Sequence, residues 1–125
     1  MNPNRCAALL ALLLAAASPA RAEIVDIAWG AQGRFEHRFD IAPGKFAELC
    51  GKLEAGQAVR WSFESAAPLD FNIHYHVGKD VVYPAQMKQV AKAGDRLAVA
   101  LAQDYCWMWT NKTAARATVS VQLQR

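Results

Sequence analysis

The stretch Asp104 to Asn111, reading Asp-Tyr-Cys-Trp-Met-Trp-Thr-Asn, constrains the fold more than any other. Side chains along a strand alternate between faces, so Tyr105, Trp107 and Trp109 fall on one side and Cys106 and Met108 on the other. Both sides are apolar or aromatic, which suits a strand in the middle of a sheet. Its expected partner is Leu69 to Val77. There Leu69, Phe71, Ile73, Tyr75 and Val77 alternate with Asp70, Asn72, His74 and His76, the cleanest period-two signal in the chain.

The same period recurs elsewhere. Phe35, His37, Phe39 and Ile41 share a face, as do Val59, Trp61 and Phe63, then Leu97, Val99 and Leu101, then Ala117, Val119, Val121 and Leu123. Turn signals stand at Ala42-Pro43-Gly44, Glu54 to Gln57, Gly78-Lys79-Asp80 and Asn111-Lys112. Ala66-Ala67-Pro68, Pro84 and Gly94-Asp95 are expected to break the strands around them. Lys45 to Leu53 reads equally as a helical turn or an irregular strand. No segment sustains a helical period. About seven to nine short strands, with turn signals at intervals of roughly 8–12 residues, predict an all-β, two-layer antiparallel β-sandwich of jelly-roll type.

Residues 1–22 read as a cleaved signal peptide. Arg5 gives a basic start, Ala7 to Ala17 an unbroken Ala/Leu run, and Ala20-Arg21-Ala22 a small-x-small site before Glu23. The run is shorter than the roughly 20 residues a membrane-spanning helix needs. Cys6 precedes it, which does not suit a lipoprotein signal. Residues 23–125 are then a single β-sandwich domain in a periplasmic or secreted location, the Ala-rich leader pointing to the periplasm. Of 14 Lys and Arg, Arg5 and Arg21 belong to the leader, leaving 12 against 11 acidic side chains. Nothing in that balance, or in the scattered Lys79, Lys88 and Lys92, suggests a nucleic-acid partner.

Cleavage leaves two of the three cysteines, Cys50 and Cys106, and in an exported protein a pair reads as a disulfide. Closing that loop would stabilise the fold by about 4 kcal/mol on the chain-entropy model. Reduced thiols or metal-bound thiolates are the alternatives.

Cys50 to Phe63, reading Cys-Gly-Lys-Leu-Glu-Ala-Gly-Gln-Ala-Val-Arg-Trp-Ser-Phe, resembles the cysteine, turn and strand that open a GOLD domain, the lumenal β-sandwich of early-secretory cargo receptors. Leu69-Asp-Phe-Asn-Ile is similar to that domain's central strand, and Tyr105 to Asn111 to its aromatic-Cys-aromatic strand ending in Asn. The resemblance covers about Cys50 to Gln124. It implies a sandwich, a disulfide between Cys50 and Cys106, and a habit of binding partners. The receptors' coiled coil, membrane helix and cytosolic tail are not expected here, so transport between membranes is not carried over. Fold alone does not give function.

Two constellations carry chemistry. His74 and His76 stand two apart on one face of a strand, a spacing of roughly 6–7 Å that lets two imidazoles reach one copper or zinc ion. Asp70 and Asn72 extend the row as outer partners, and Met87 and Met108 offer thioethers suited to copper. The plain alternative is the polar outer face that any two-layer sheet has. The row Tyr105, Trp107 and Trp109 forms a ligand-binding aromatic patch if Cys106 points inward, or the core if it points outward. No serine–histidine or cysteine–histidine signature and no phosphate-binding glycine loop is present. Asn111-Lys112-Thr113 matches a glycosylation sequon, a short motif that arises by chance.

These features predict a small exported, non-enzymatic binding module with Asp70, Asn72, His74, His76, Tyr105, Trp107 and Trp109 as its ligand surface. Its partner would be a protein or small ligand of the exported compartment, and no cofactor is required. A periplasmic copper- or zinc-binding protein using His74 and His76 is the rival. A hydrolase with a metal at the same histidines is the third reading.

Overall fold

Seven strands form one continuous hydrogen-bonded sheet in a computed structural model that describes residues 22–125. All of the expected leader but Ala22 lies outside the described residues. The strands are β1 (Glu23–Asp26), β2 (Arg34–Ile41), β3 (Phe46–Leu53), β4 (Ala58–Val77), β5 (Asp80–Ala98), β6 (Gln103–Thr110) and β7 (Ala117–Gln124). A short 3-10 turn, Ala31–Gly33, precedes β2. The sheet order is β1-β3-β6-β4-β7-β2, with β5 paired to β4. The strand Asp104 to Asn111 is central, as its two apolar faces required. It becomes β6, and its residues Cys106 to Thr110 pair with Asp70 to His74.

The sheet closes on itself because β4 is folded. Its residues Arg60 to Ser65 pair with β7, and Asp70 to His74 pair with β6. In a straight strand, Trp61 and Phe71 would stand about 33 Å apart. Their rings are 4.9 Å apart. The two limbs of β4 therefore belong to different layers, and β5 follows the bend along its other edge. One layer holds β1, β3, β6 and the second limb of β4; the other holds β2, β7 and the first limb. Phe39 of β2 packs 5.9 Å from Trp109 of β6 across the interior, which places the two layers face to face. The expected two-layer all-β sandwich is what forms. One pairing departs from the antiparallel rule: β1 runs parallel to β3.

The expected breaks are bends instead. Between the pairs Glu64–Lys92 and Leu69–Val90, β4 has four residues, Ser65 to Pro68, opposite Ala91 alone. Pro68 lacks an N–H for the ladder, and the bulge removes the need for one. Pro84 lies at a second irregularity, where Tyr83 and Pro84 together oppose His74. Gly94 sits inside β5 opposite Ser62, where a Cβ would stand 3.1 Å from the Trp61 carbonyl oxygen. Lys45 to Leu53 resolves as a strand, because Leu49 and Leu53 reach the core with Ala47.

Trp107 and Trp109 are fully buried, and Phe63, Phe71 and Phe39 each stand within 6 Å of Trp109, ring centre to ring centre. Cys50 and Cys106 are register partners on β3 and β6, with Cα atoms 4.2 Å apart, and form a disulfide. Since Trp107 and Tyr105 point inward, the disulfide lies on the outer face of its layer. Among the described residues, no helix is long and apolar enough to cross a membrane.

The turn from β6 to β7 is held by Asn111, which is fully buried. Its Nδ2 donates to the carbonyls of Ile41 (2.9 Å) and Ala115 (2.8 Å), and its Oδ1 accepts from the Thr113 N–H and hydroxyl. The sequon asparagine is thus committed to structure. Asn111→Ala should cost about 2–3 kcal/mol, the penalty of leaving buried backbone groups unpaired. Urea denaturation of the two proteins at neutral pH measures it, and a loss under about 0.5 kcal/mol would mean that the turn holds without this side chain.

Candidate functional site

The outer face of the first layer carries every polar residue singled out on β4. Register sets its rows. Glu48, Met108 and Asn72 lie side by side on β3, β6 and β4, and Cys50, Cys106 and His74 form the next row. His76 continues β4 beyond the last residue paired with β6 and faces Val81 of β5. The bulge at Tyr83-Pro84 sets the Tyr83 ring 6.0 Å from that of His74.

His74 is buried although it lies on an outer face. Only 8% of its side chain is exposed, flanked by the disulfide row and Tyr83. Its Nδ1 stands 2.8 Å from Asn72 Oδ1, an acceptor, so Nδ1 carries the proton and donates. Nε2 then presents its lone pair toward Glu48 Oε1, 3.8 Å away. The His76 ring stands edge-on to His74, with centres 5.3 Å apart. Burial pushes the Glu48 carboxyl above its usual value, a rise that the nearby His76 opposes. Burial lowers the His74 pKa, and the charge of His76 lowers it further. Both shifts disfavour the charged forms, so the 3.8 Å approach is weak as an ion pair. At 3.8 Å it is also longer than a hydrogen bond, so neither group satisfies the other.

The other candidates separate. Asp70 is engaged elsewhere: its carboxylate pairs with Lys112 and accepts from the Gln89 N–H (3.1 Å) and side-chain amide (2.8 Å). It ties a bulge of β5, where Gln89 has a positive φ of 54°, to the loop after β6. Met108 shares the histidine face. Met87 does not: it faces Phe71 in register and packs against the core, so it cannot join His74 at one ion. Tyr105, Trp107 and Trp109 fill the interior and offer no surface to a ligand; the outward reading required the disulfide to face inward, and it does not. Tyr105 donates its hydroxyl to the Leu101 carbonyl (3.0 Å). Among the described residues, the one group of three potential metal-ligand atoms lying mutually within 4.8 Å is Glu48, Cys50 and Cys106, and both sulfurs are bonded to each other.

Two residues of the site escape a reading of the sequence. Glu48 lies in the segment whose secondary structure was ambiguous; only as a strand does it share a face with Cys50. Tyr83 reaches His74 because Pro84 bulges the strand.

No described protein family and no curated protein matches the chain in sequence. In structure it is similar to PliG from Aeromonas hydrophila, a periplasmic inhibitor of g-type lysozyme, with a TM-score of 0.58 at 10% identity over 83% of this chain and 96% of that one. PliG from Salmonella Typhimurium gives 0.53 at 12% identity, covering 82% and 96%. The pre-peptidase C-terminal domain of a Bacillus anthracis collagenase gives 0.56 at 9% identity, covering 86% and 99%. At such identities the likeness is one of fold alone.

The Asp70 carboxyl is held below its usual value, first by Lys112 and then by the donors of Gln89. A carboxylate with a depressed folded pKa contributes stability that is complete above the unfolded value of about 3.9 and is lost as pH falls through the lower folded value. Asp70→Asn should therefore be less stable than the parent by about 1 kcal/mol at pH 7, and the gap should close below about pH 4. Urea melts across that range test it; a gap independent of pH would show that Asp70 acts by packing and not by charge.

Proposed function

We propose that this chain is a small exported, non-enzymatic binding module with a GOLD-like sandwich, whose partner is a protein met outside the cytoplasm. The observation that carries the reading is the tip of the β4–β5 hairpin. Tyr75 to Val77 and Asp80 to Val82 continue beyond the last β4–β6 pair, His74–Cys106, as a two-stranded ribbon paired only with itself. Val77, Val81, Val82 and Tyr83 there are 38–47% exposed, and they are four of the six large exposed hydrophobics among the described residues. Concentrated exposed apolar surface rimmed by polar groups favours association with another protein. His76 and the rim residues Lys79 and Asp80 supply the polar part. Tyr75 anchors the ribbon by resting on Tyr105, with ring centres 4.9 Å apart.

Export is supported by the leader composition and by the disulfide, which an oxidising compartment maintains. Two fold neighbours, the PliG proteins, are themselves periplasmic and act on another protein, a lysozyme. A non-enzymatic role fits a face whose two sulfurs are locked together and whose histidines, among the described residues, have no hydroxyl or thiol hydrogen-bonded to them.

The test is retention of a partner from periplasmic extract by the oxidised chain covering residues 23–125, beside Val81→Asp and Tyr83→Ser, with purified g-type lysozyme as a defined second probe. A partner held by the parent and weakened roughly tenfold or more (about 1.4 kcal/mol) by both substitutions, at unchanged melting temperature, is the expected result. Equal retention by the variants would remove the hairpin tip as the surface, and retention of nothing by the parent would remove the protein-binding reading.

A further inference from the structure

We propose that His74, Glu48 and His76 form a binding site for a divalent transition-metal ion of the zinc or copper(II) class. The geometry of the first two is already that of ligands. Metal–nitrogen and metal–oxygen distances near 2.1 Å put two tetrahedral ligand atoms about 3.4 Å apart. His74 Nε2 and Glu48 Oε1 stand 3.8 Å apart. Neutral imidazole is the ligating form, and the tautomer is the correct one. Asn72 accepts the Nδ1 proton at 2.8 Å, which fixes the ring and leaves the Nε2 lone pair facing the carboxylate. A metal-bound histidine characteristically has such a partner on its other nitrogen.

The site also has an electrostatic deficit that a cation would fill. Glu48 has only 14% of its side chain exposed, and no Lys or Arg pairs with it among the described residues. Removing a carboxylate from water without a cationic partner costs stability, and a surface glutamate on a strand has no structural need to turn toward a buried imidazole. His76 is exposed, with its ring 5.3 Å from that of His74; none of its nitrogens lies within 4.8 Å of both other ligand atoms, so as the third ligand its ring would turn toward the ion. Met108 stands between Glu48 and Asn72 in register and leaves the fourth position to its thioether or to water. The Cys50–Cys106 bond cross-links β3 to β6 beside the site, so two of the three strands that carry the site are held rigidly.

This inference does not rest on the hairpin tip as a docking surface; a partner not found there leaves the metal titration unaffected. The experiment is calorimetric titration of the oxidised chain, residues 23–125, with zinc and with copper(II) at pH 7, paired with thermal melts. The variants are Glu48→Gln, His76→Ala, Asn72→Ala and, as a control, His37→Ala. One ion per chain is expected, with a melting point raised by several degrees. Affinity should fall at least tenfold in Glu48→Gln and in His76→Ala and roughly tenfold in Asn72→Ala, the loss typical of removing an orienting partner. His37→Ala should bind as the parent does. Glu48→Gln keeps the side chain's size and should fold at least as well as the parent, so its loss of binding reports on the ligand itself. No heat and no melting shift at millimolar metal would overturn the proposal. So would binding that Glu48→Gln or His76→Ala leaves within about twofold of the parent, or binding that depends on His37.

Discussion

The fold rests on the collapse of β4 onto itself around Trp109. A straight strand of 20 residues would run about 66 Å, further than a domain of this size can cover with a second layer. Folding it at Ser65 to Pro68 brings Trp61 and Phe63 from one limb against Phe71 from the other. Burying one such ring removes about 150–250 Å² from water, worth roughly 4–6 kcal/mol before any allowance for a compact unfolded state. The ladder bonds forgone in the bend are worth about 1 kcal/mol each. The aromatic interior therefore decides the shape of the backbone. It also outweighs the unpartnered indole N–H groups of Trp107 and Trp109.

That bend is also what assembles the polar face. Because alternation along β4 is kept through its second limb, sending Leu69, Phe71 and Ile73 inward sends Asp70, Asn72 and His74 outward onto one layer. Because the first limb has left that layer, the edge of the second limb is free to pair with β6 and so to meet the disulfide and, across it, Glu48. The bulge at Tyr83 and Pro84 then lays a ring against His74. A histidine on an outer face becomes a buried one through irregularities in its neighbours and not through its own strand.

The periodic parts of this arrangement were legible in the sequence. Period-two patterns at Leu69 to Val77 and at Tyr105 to Trp109 carry their own packing logic, and the pairing of the two follows from it. Parity of the two cysteines that remain beyond the expected leader pointed to the disulfide. Breaks were legible only as irregularities: Pro68, Pro84 and Gly94 signal that a ladder cannot continue regularly, but a turn, a bulge and a bend all satisfy that signal. Tertiary burial chose between them. The direction of Cys106 was open for the same reason, since both faces of β6 are apolar and only the identity of the facing layer separates core from surface. Glu48 had no signal of its own, because the pairing of β3 with β6 is a contact between residues some 60 positions apart.

Within the polar row the residues differ in whether their surroundings account for them. Asp70 is answered fully, by an ammonium and two amide donors, and needs nothing beyond the fold to explain it. Asn111 is answered by four bonds. Among the described residues, His74 is answered at one nitrogen only, and no Lys or Arg answers Glu48 at either oxygen. An apolar pair of similar volume at these two positions would be about as stable, since buried ionisable pairs seldom return their desolvation cost. The fold thus explains where His74 and Glu48 are and does not explain why they are a histidine and a glutamate. That distinguishes them from Asp70, which shares the face and, with His74, the strand, and it is the physical ground for the metal site proposed at these two residues.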